Sequence, residues 1–300
     1  RMGSEACVVL LHSCQEVASS WRSQIVALAG AGYRVVAPDM RGFGGTTAPP
    51  KISDYTMLHL VGDIVELVGV LGEKHAVIMG HDWGAQVAWG GALLRPDIFT
   101  AVVGMSLPFV PIGRTDILSS LRSVGIDNFY LQYFQTPGVA EAELEQDVAA
   151  SIRRIYYSAS GNGPDTIIFG MLQSGKGFLD NTIEPETLPA WLTEQDIEEY
   201  ATEFSRTGFR GGLNWYRNLN RSWELMTPWR GQVIHQPSLF IAGGSDDVLK
   251  FPNTQRDIDN FSVTLPGICG CHIIPEAGHW IQREKAEQVN HLLIEFLNGL

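Results

Sequence analysis

The segment Gly80-His81-Asp82-Trp83-Gly84 places a carboxylate between two glycines. It follows an apolar run at His75–Met79 that predicts a strand, and it precedes a helical pattern at Ala85–Leu94. This is the Gly-x-nucleophile-x-Gly form of a nucleophile elbow, in which flanking glycines permit a strained turn that lifts the middle side chain above a sheet. The pattern predicts that Asp82 is a nucleophile; an aspartate that only caps the following helix is the structural alternative.

A carboxylate nucleophile restricts the chemistry that the site can perform. Attack on a saturated carbon forms an alkyl ester that water can cleave, whereas a serine would form an inert ether. The sequence therefore predicts a substrate whose saturated carbon carries a leaving group.

Cleavage of such an ester needs an activated water molecule. The loop Gly278-His279-Trp280 supplies His279 as a base, and Asp246 after the preceding strand can orient its imidazole. The order nucleophile, acid, histidine along the chain is that of the α/β-hydrolases. Asp247 is the alternative to Asp246, although a turn carboxylate is its default interpretation.

Strand and helix signals alternate along both ends of the chain, which predicts a parallel sheet with helices on both faces. Between Pro108 and Trp229 the pattern is helical and aromatic, including Ala140–Tyr157 and Thr193–Phe204. We therefore expect an α/β core formed by 1–107 and 230–300, with a mainly helical cap segment (108–229) inserted in it. The predicted strands are Ala6–His12, Tyr33–Pro38, His75–Met79, Ala101–Ser106, Ser238–Gly243 and His272–Pro275.

The composition is that of a folded globular protein, with 300 residues of which 45% are hydrophobic and 18% charged. The net charge of −12, without a cluster of Lys and Arg, argues against nucleic acid as a partner. There is no run of 18 apolar residues and no signal-peptide pattern at the start, so we expect no membrane partner and a cytoplasmic location.

Several motifs together resemble the hydrolase domain of soluble epoxide hydrolases, a family within the α/β-hydrolase superfamily. The resemblance covers nearly the whole chain and implies conversion of epoxides to vicinal diols through a covalent aspartyl alkyl ester, without a metal or an organic cofactor. The substrate is expected to be a small apolar epoxide. The motifs are the elbow at Asp82, Asp39-Met40-Arg41-Gly42-Phe43-Gly44, Tyr133-Phe134-Gln135 and Asn214-Trp215-Tyr216-Arg217-Asn218.

In this family two tyrosines of the cap donate hydrogen bonds to the epoxide oxygen, and they carry over here onto Tyr130 and Tyr216. A phenol with a pKa near ~10 can stabilise or protonate the alkoxide that ring opening produces while remaining un-ionised at neutral pH. Tyr133 is the alternative to Tyr130. Phe109, Trp215 and Trp280 are expected walls of an apolar pocket, and each is equally well explained as a core residue.

The family also implies an oxyanion hole formed by the backbone N–H groups of Trp83 and Cys14. Family members usually have His-Gly-x-Pro where this chain has His12-Ser13-Cys14-Gln15. Loss of the glycine makes a positive φ costly, so the sequence leaves open whether the ester is hydrolysed slowly. A second departure is that two opening strands of the family are apparently missing, and an unpaired sheet edge there favours a homodimer or aggregation.

Two other functions remain open at this stage. Haloalkane dehalogenases use the same carboxylate and often the same Asp-Trp pair, but a departing halide needs no proton, so paired tyrosines would serve it little. A catalytically silent, ligand-binding α/β-hydrolase fold is the other alternative, because fold does not imply function.

Overall fold

The computed structural model describes residues 6–164 and 167–300. Its sheet has six strands in the order β2-β1-β3-β4-β5-β6, and all neighbouring strands run parallel. The predicted α/β fold is therefore confirmed. The strands are β1 (Cys7–Leu11), β2 (Arg34–Val36), β3 (Ala76–His81), β4 (Phe99–Met105), β5 (Ser238–Gly243) and β6 (Ile268–Ile274).

Helices cover both faces of this sheet and make up most of the cap segment. Within the described residues, the region between β4 and β5 contains one isolated bridge, Phe129 with Met171, and no named strand. The α-helices in chain order are α1 (Arg22–Gly30), α2 (Met57–Val70), α3 (Trp83–Leu94), α4 (Ile117–Ser123), α5 (Tyr130–Tyr133), α6 (Val139–Leu144), α7 (Val148–Ser158), α8 (Glu194–Thr207), α9 (Arg210–Arg217), α10 (Leu219–Met226), α11 (Thr254–Asp259), α12 (Phe261–Thr264), α13 (Ile281–Glu284) and α14 (Ala286–Asn298).

The central strands are apolar on both faces because helices pack on both sides of them. Every residue of β1 and β3 is buried. Val9 and Ile78 point into one hydrophobic cluster, whereas Val8 and Val77 point into the cluster on the opposite side of the sheet. In register, Val8 pairs with Val77 and Val9 with Ile78.

Two predicted elements differ from the observed ones. The helix expected over Ala140–Tyr157 is two helices, α6 and α7, because the Asp147 side chain accepts a hydrogen bond from Ala150 N–H at 3.0 Å and begins a new helix. The last strand begins at Ile268 rather than at His272. This strand lies at the edge of the sheet and is half exposed, so its sequence lacks the continuous apolar run of a central strand.

Helix α9, which carries Tyr216, packs very closely on the core. A Cβ atom on Gly211 would lie 2.2 Å from the carbonyl oxygen of Gly42, and one on Gly212 would lie 2.5 Å from Cys14 Sγ. Only glycine allows this approach, since contacts that short exclude a side chain. The sequence therefore fixes Tyr216 against the β1 side of the sheet through two consecutive glycines.

Candidate active site

Asp82 lies in a strained turn between β3 and α3. Its φ of 51° and ψ of −118° are uncommon for a residue with a side chain. Both flanking glycines are needed, because a Cβ on Gly80 would lie 2.0 Å from Gly84 O and a Cβ on Gly84 would lie 2.1 Å from Leu11 O. The turn has the geometry expected of an elbow, and its strain points to a functional role.

The structure brings His279 and Asp246 together beside Asp82. Asp246 follows β5 and its Oδ1 lies 3.1 Å from His279 Nδ1, whereas His279 Nε2 lies 3.8 Å from Asp82 Oδ2. Nε2 is buried and has no hydrogen-bond partner among the described residues. Asp247 points elsewhere and accepts a hydrogen bond from Ile168 N–H at 2.7 Å. The imidazole is therefore oriented by Asp246 and presents a free nitrogen toward the Asp82 carboxylate.

Three further residues hold this arrangement, and the sequence analysis did not identify them. Ser106 Oγ lies 2.5 Å from Asp246 Oδ2 and 3.0 Å from His279 Nδ1. Glu284 Oε2 accepts from Gly278 N–H at 2.9 Å, and its Oε1 accepts from Trp280 N–H at 3.1 Å, so this carboxylate fixes the backbone on both sides of His279.

The third residue is Glu16, which forms a buried pair with His81 behind the loop that carries His279. His81 Nδ1 lies 3.1 Å from Glu16 Oε2, and His81 Nε2 lies 2.7 Å from the carbonyl oxygen of His279. Burial favours the neutral acid, but the imidazole of His81 and the N–H of Ser13 outweigh it, so the pKa of Glu16 lies below its usual value. His81 thus supports the position of His279 through the backbone of its loop.

Tyr130 on α5 and Tyr216 on α9 lie side by side in an edge-to-face contact, with ring centroids 6.1 Å apart. Burial raises the pKa of both phenols well above 10, and the negative charge of Asp82 raises it further. Both therefore remain protonated donors. Tyr133 instead donates to Glu143 Oε2 at 2.8 Å, away from Asp82, so the structure favours Tyr130 over its alternative.

The predicted oxyanion donors have no competing acceptor. Within the described residues, neither Trp83 N–H nor Cys14 N–H makes a hydrogen bond. Ser13, which replaces the usual glycine, has no positive φ, so the substitution introduces no strain of that kind. Ser13 N–H donates to Glu16 Oε2 at 2.9 Å, and this bond fixes the turn that carries Cys14.

Aromatic residues lie around Asp82, His279 and the two tyrosines. Only some of the predicted pocket walls are among them. Trp215 lies against Trp83, with ring centroids 5.8 Å apart, whereas Phe109 packs on Trp89. Trp280 is fully buried and stacks on Tyr156 at 4.1 Å, which is a core position. The sequence analysis missed two rings that contact the site directly. These are Phe169, 5.0 Å from the His279 ring, and Phe134, 5.0 Å from Tyr216.

The charges of Asp82, Asp246 and His279 shift one another's pKa values. Burial raises the pKa of Asp82, and the positive charge of His279 opposes that rise. Burial would lower the pKa of His279, but the carboxylates of Asp246 and Asp82 reverse this and raise it to about 9. The pKa of Asp246 stays low despite its burial because His279, Ser106 and Val248 N–H stabilise its ionised form. The resting site therefore holds an imidazolium between two carboxylates.

Replacing Asp82 by asparagine should lower the pKa of His279. The carboxylate stabilises the imidazolium, so removing its charge from a position 3.8 Å away favours the neutral ring, while Asp246 is retained. We expect a ¹⁵N NMR titration of His279 to give a value near 9 in the wild-type protein and a clearly lower one in Asp82→Asn. An unchanged titration would mean that Asp82 does not act on His279 electrostatically.

The comparisons with known proteins agree with this geometry. The chain matches the family model described as alpha/beta hydrolase fold over residues 7–170. Epoxide hydrolase A of Mycobacterium tuberculosis is 44% identical over 295 residues, which cover 98% of this chain and 90% of that protein. A solved epoxide hydrolase from an endophytic Streptomyces has a TM-score of 0.94 at 41% identity, covering 99% of this chain and 90% of that one. Epoxide hydrolase A from Mycobacterium thermoresistibile has a TM-score of 0.92 at 44% identity, covering 100% and 93%.

The sheet, the strained turn and the matching family model define an α/β-hydrolase. Within that class, the chain belongs to the epoxide hydrolase family, with which it shares nearly its whole length. The predicted resemblance is thereby confirmed. Over the residues that the structure describes, no helix is both long enough and apolar enough to span a membrane.

Proposed function

We propose that the protein converts epoxides to vicinal diols through an alkyl ester on Asp82. The observation that carries the proposal is that a carboxylate in a strained turn lies beside two protonated tyrosines and 3.8 Å from His279 Nε2, which has no hydrogen-bond partner among the described residues. An epoxide needs these three functions and no more: a nucleophile, a proton donor for its oxygen, and a base for the later hydrolysis. Its relatives named as epoxide hydrolases support the same activity.

In the first step an oxygen of Asp82 forms a bond to one epoxide carbon while the bond from that carbon to the ring oxygen breaks. The oxygen becomes an alkoxide and takes a proton from Tyr130 or Tyr216. The raised pKa of these phenols keeps the proton available at neutral pH, and their hydrogen bonds form where negative charge develops. The product of this step is a hydroxyalkyl ester of Asp82.

In the second step a water molecule attacks the carbonyl carbon of the ester and gives a proton to His279 Nε2. The N–H groups of Trp83 and Cys14 stabilise the oxyanion of the tetrahedral intermediate. As the intermediate breaks down, the diol oxygen leaves with the proton held by His279. The second proton of the water is released when the new carboxyl group ionises, and it restores the tyrosine.

Esterification prepares His279 for its role as a base. In the resting site the charge of Asp82 contributes to the raised pKa of His279. Once Asp82 is an ester that contribution is gone, so the pKa of His279 falls and the imidazolium loses its proton to solvent more readily before the ring must accept one from the attacking water. Asp246 keeps the ring oriented throughout.

We also propose that residues 108–229 act as a cap that closes the site and excludes water from it. The cap segment supplies both tyrosines, and it supplies Phe134 and Phe169, which place apolar rings against Tyr216 and His279. The cytoplasmic location and the homodimer stay predictions from the sequence.

The test is a pair of incubations, with styrene oxide and with 1-chlorobutane, followed by measurement of diol and of chloride. We expect diol from styrene oxide and no chloride release. Chloride without diol would make the protein a haloalkane dehalogenase, and neither product would favour the silent fold. A single turnover in H₂¹⁸O should give unlabelled diol and place the label in Asp82, because the added oxygen comes from the carboxylate. Labelled diol in that turnover would contradict the ester mechanism.

A further inference from the structure

Ser106, at the end of β4, adopts a backbone conformation that its residue type disfavours. Its φ is 69° and its side chain is fully buried. Glycine would adopt this conformation without strain, whereas a residue with a Cβ atom does so only at a cost in free energy. The chain therefore has a serine at a position where the backbone conformation alone would favour glycine, and the feature that glycine lacks is the hydroxyl group.

That hydroxyl group lies between Asp246 and His279. Ser106 Oγ is 2.5 Å from Asp246 Oδ2 and 3.0 Å from His279 Nδ1. The other carboxylate oxygen, Oδ1, lies 3.0 Å from Val248 N–H and 3.1 Å from His279 Nδ1. Within the described residues, Ser106 is the only hydrogen-bond donor to Oδ2. Without it, one oxygen of a fully buried carboxylate would have no partner.

The backbone around Ser106 is fixed by neighbouring strands. Ser106 N–H donates to Ile241 O on β5 at 2.9 Å, and Asp82 N–H donates to Met105 O at 3.1 Å. The carboxyl ends of β3, β4 and β5 therefore place Asp82, Ser106 and Asp246 side by side. The strained φ aims the hydroxyl at Asp246 from a rigid position, which a residue on a flexible loop would not achieve.

We propose that Ser106 is a positioning residue for the hydrolysis of the alkyl ester. Its O–H donates to Asp246 Oδ2 and keeps the carboxylate ionised and aligned, so that Oδ1 faces His279 and Nε2 faces the ester carbonyl. This inference rests on the proposed function, in which His279 acts as a base only in the second step. Alkylation depends on Asp82 and the two tyrosines, so Ser106 affects the second step and leaves the first unchanged.

The test compares Ser106→Ala and Ser106→Gly in single turnovers with styrene oxide, using intact-protein mass to follow ester formation and decay. We expect both variants to be alkylated at the wild-type rate and to hydrolyse the ester about 10- to 100-fold more slowly, since a buried acceptor loses its donor. At steady state kcat and KM should then fall together, with kcat/KM unchanged. Ser106→Gly is the matched control for folding, because glycine removes the hydroxyl and also the strain.

A measurement without substrate separates this inference from the proposed function. The Nδ1 proton of His279 should give a downfield ¹H NMR resonance that shifts upfield or broadens in both variants. If both variants hydrolyse the ester at the wild-type rate and the resonance is unchanged, the role of Ser106 is overturned and the proposed function stands. If the variants lose equal amounts of alkylation and hydrolysis, the conclusion is the same. If the wild-type protein forms no ester but the resonance responds, the proposed function fails while the contact of Ser106 with the Asp246–His279 pair stands.

Discussion

Replacing His279 by glutamine should give a protein that styrene oxide alkylates once and that then releases no diol. In the proposed mechanism the first step needs Asp82 and the tyrosines, whereas the second needs a base at the position of Nε2, which glutamine does not provide. We expect diol turnover to fall by about 10²–10⁴-fold, the usual contribution of a positioned general base. Intact-protein mass should show a stable adduct of one substrate molecule, located on Asp82 by peptide mapping.

The rate at which His279→Gln is alkylated should depend on pH through the ionisation of Asp82. The positive charge of His279 opposes the burial that raises the pKa of Asp82. Without the imidazolium that pKa rises further, so a larger part of Asp82 is protonated and less is available as a nucleophile. Alkylation of His279→Gln should therefore speed up as the pH is raised, until Asp82 is fully ionised. A rate that increased toward acidic pH would contradict the role of the carboxylate.

The matched control for this variant is His291→Gln. His291 is an exposed histidine on α14 that forms an ion pair with Glu295 at 3.9 Å. The control should turn over styrene oxide as the wild-type protein does and accumulate no adduct beyond the wild-type level. If His279→Gln consumed substrate with no change in mass, the two-step mechanism would be wrong.

The main features of the site were accessible from the sequence because they depend on local patterns. The glycines around Asp82 and the strand before it predict a strained turn, and the structure has one. The order of Asp82, Asp246 and His279 along the chain places each after a strand of one parallel sheet. Since the carboxyl ends of parallel strands share an edge, their meeting follows from topology.

The supporting residues could not be predicted from local sequence patterns. Glu16, Ser106 and Glu284 look like ordinary polar residues in the sequence, and their roles arise from contacts between distant segments, such as Ser106 with Asp246. Phe169 was missed for a similar reason, because an aromatic residue in a cap is indistinguishable from core packing until its neighbours are known. Nothing local separates Tyr130 from Tyr133 either; the structure does, through the bond of Tyr133 to Glu143.

These supporting residues help to explain how His279 can be protonated although it is buried. The resting site stabilises an imidazolium with two carboxylates, and Glu16, His81 and Glu284 hold its loop in place from behind. The cost of burying these charges is offset by hydrogen bonds to both carboxylate oxygens of Asp246 and to His279 Nδ1. His279 Nε2 has no hydrogen-bond partner among the described residues, and it is the atom to which the proposed mechanism assigns the role of base.

Replacing Tyr216 or Tyr130 by phenylalanine should slow alkylation and leave hydrolysis of the preformed ester unchanged. Each phenol supplies one donor at the oxygen where negative charge develops, so each substitution should cost about 10–10³-fold in the first step. Replacing both should cost more than either alone, because the developing alkoxide then loses both of its hydrogen-bond donors. The rate of adduct formation in a single turnover with styrene oxide measures the effect.

Tyr133→Phe is the matched control for Tyr130→Phe, since it removes a hydroxyl group from the same helix, α5, and it also serves as the control for Tyr216→Phe because the lost hydroxyl group bonds to Glu143 and not within the site. It should alkylate at the wild-type rate, although the loss of the bond to Glu143 should lower its stability by ~1 kcal/mol. An unchanged alkylation rate in Tyr130→Phe would assign that ring to packing against Phe134 and Phe169. Because the three variants differ only in which hydroxyl is lost, a slow first step confined to Tyr130→Phe and Tyr216→Phe would tie the donor role to these two positions.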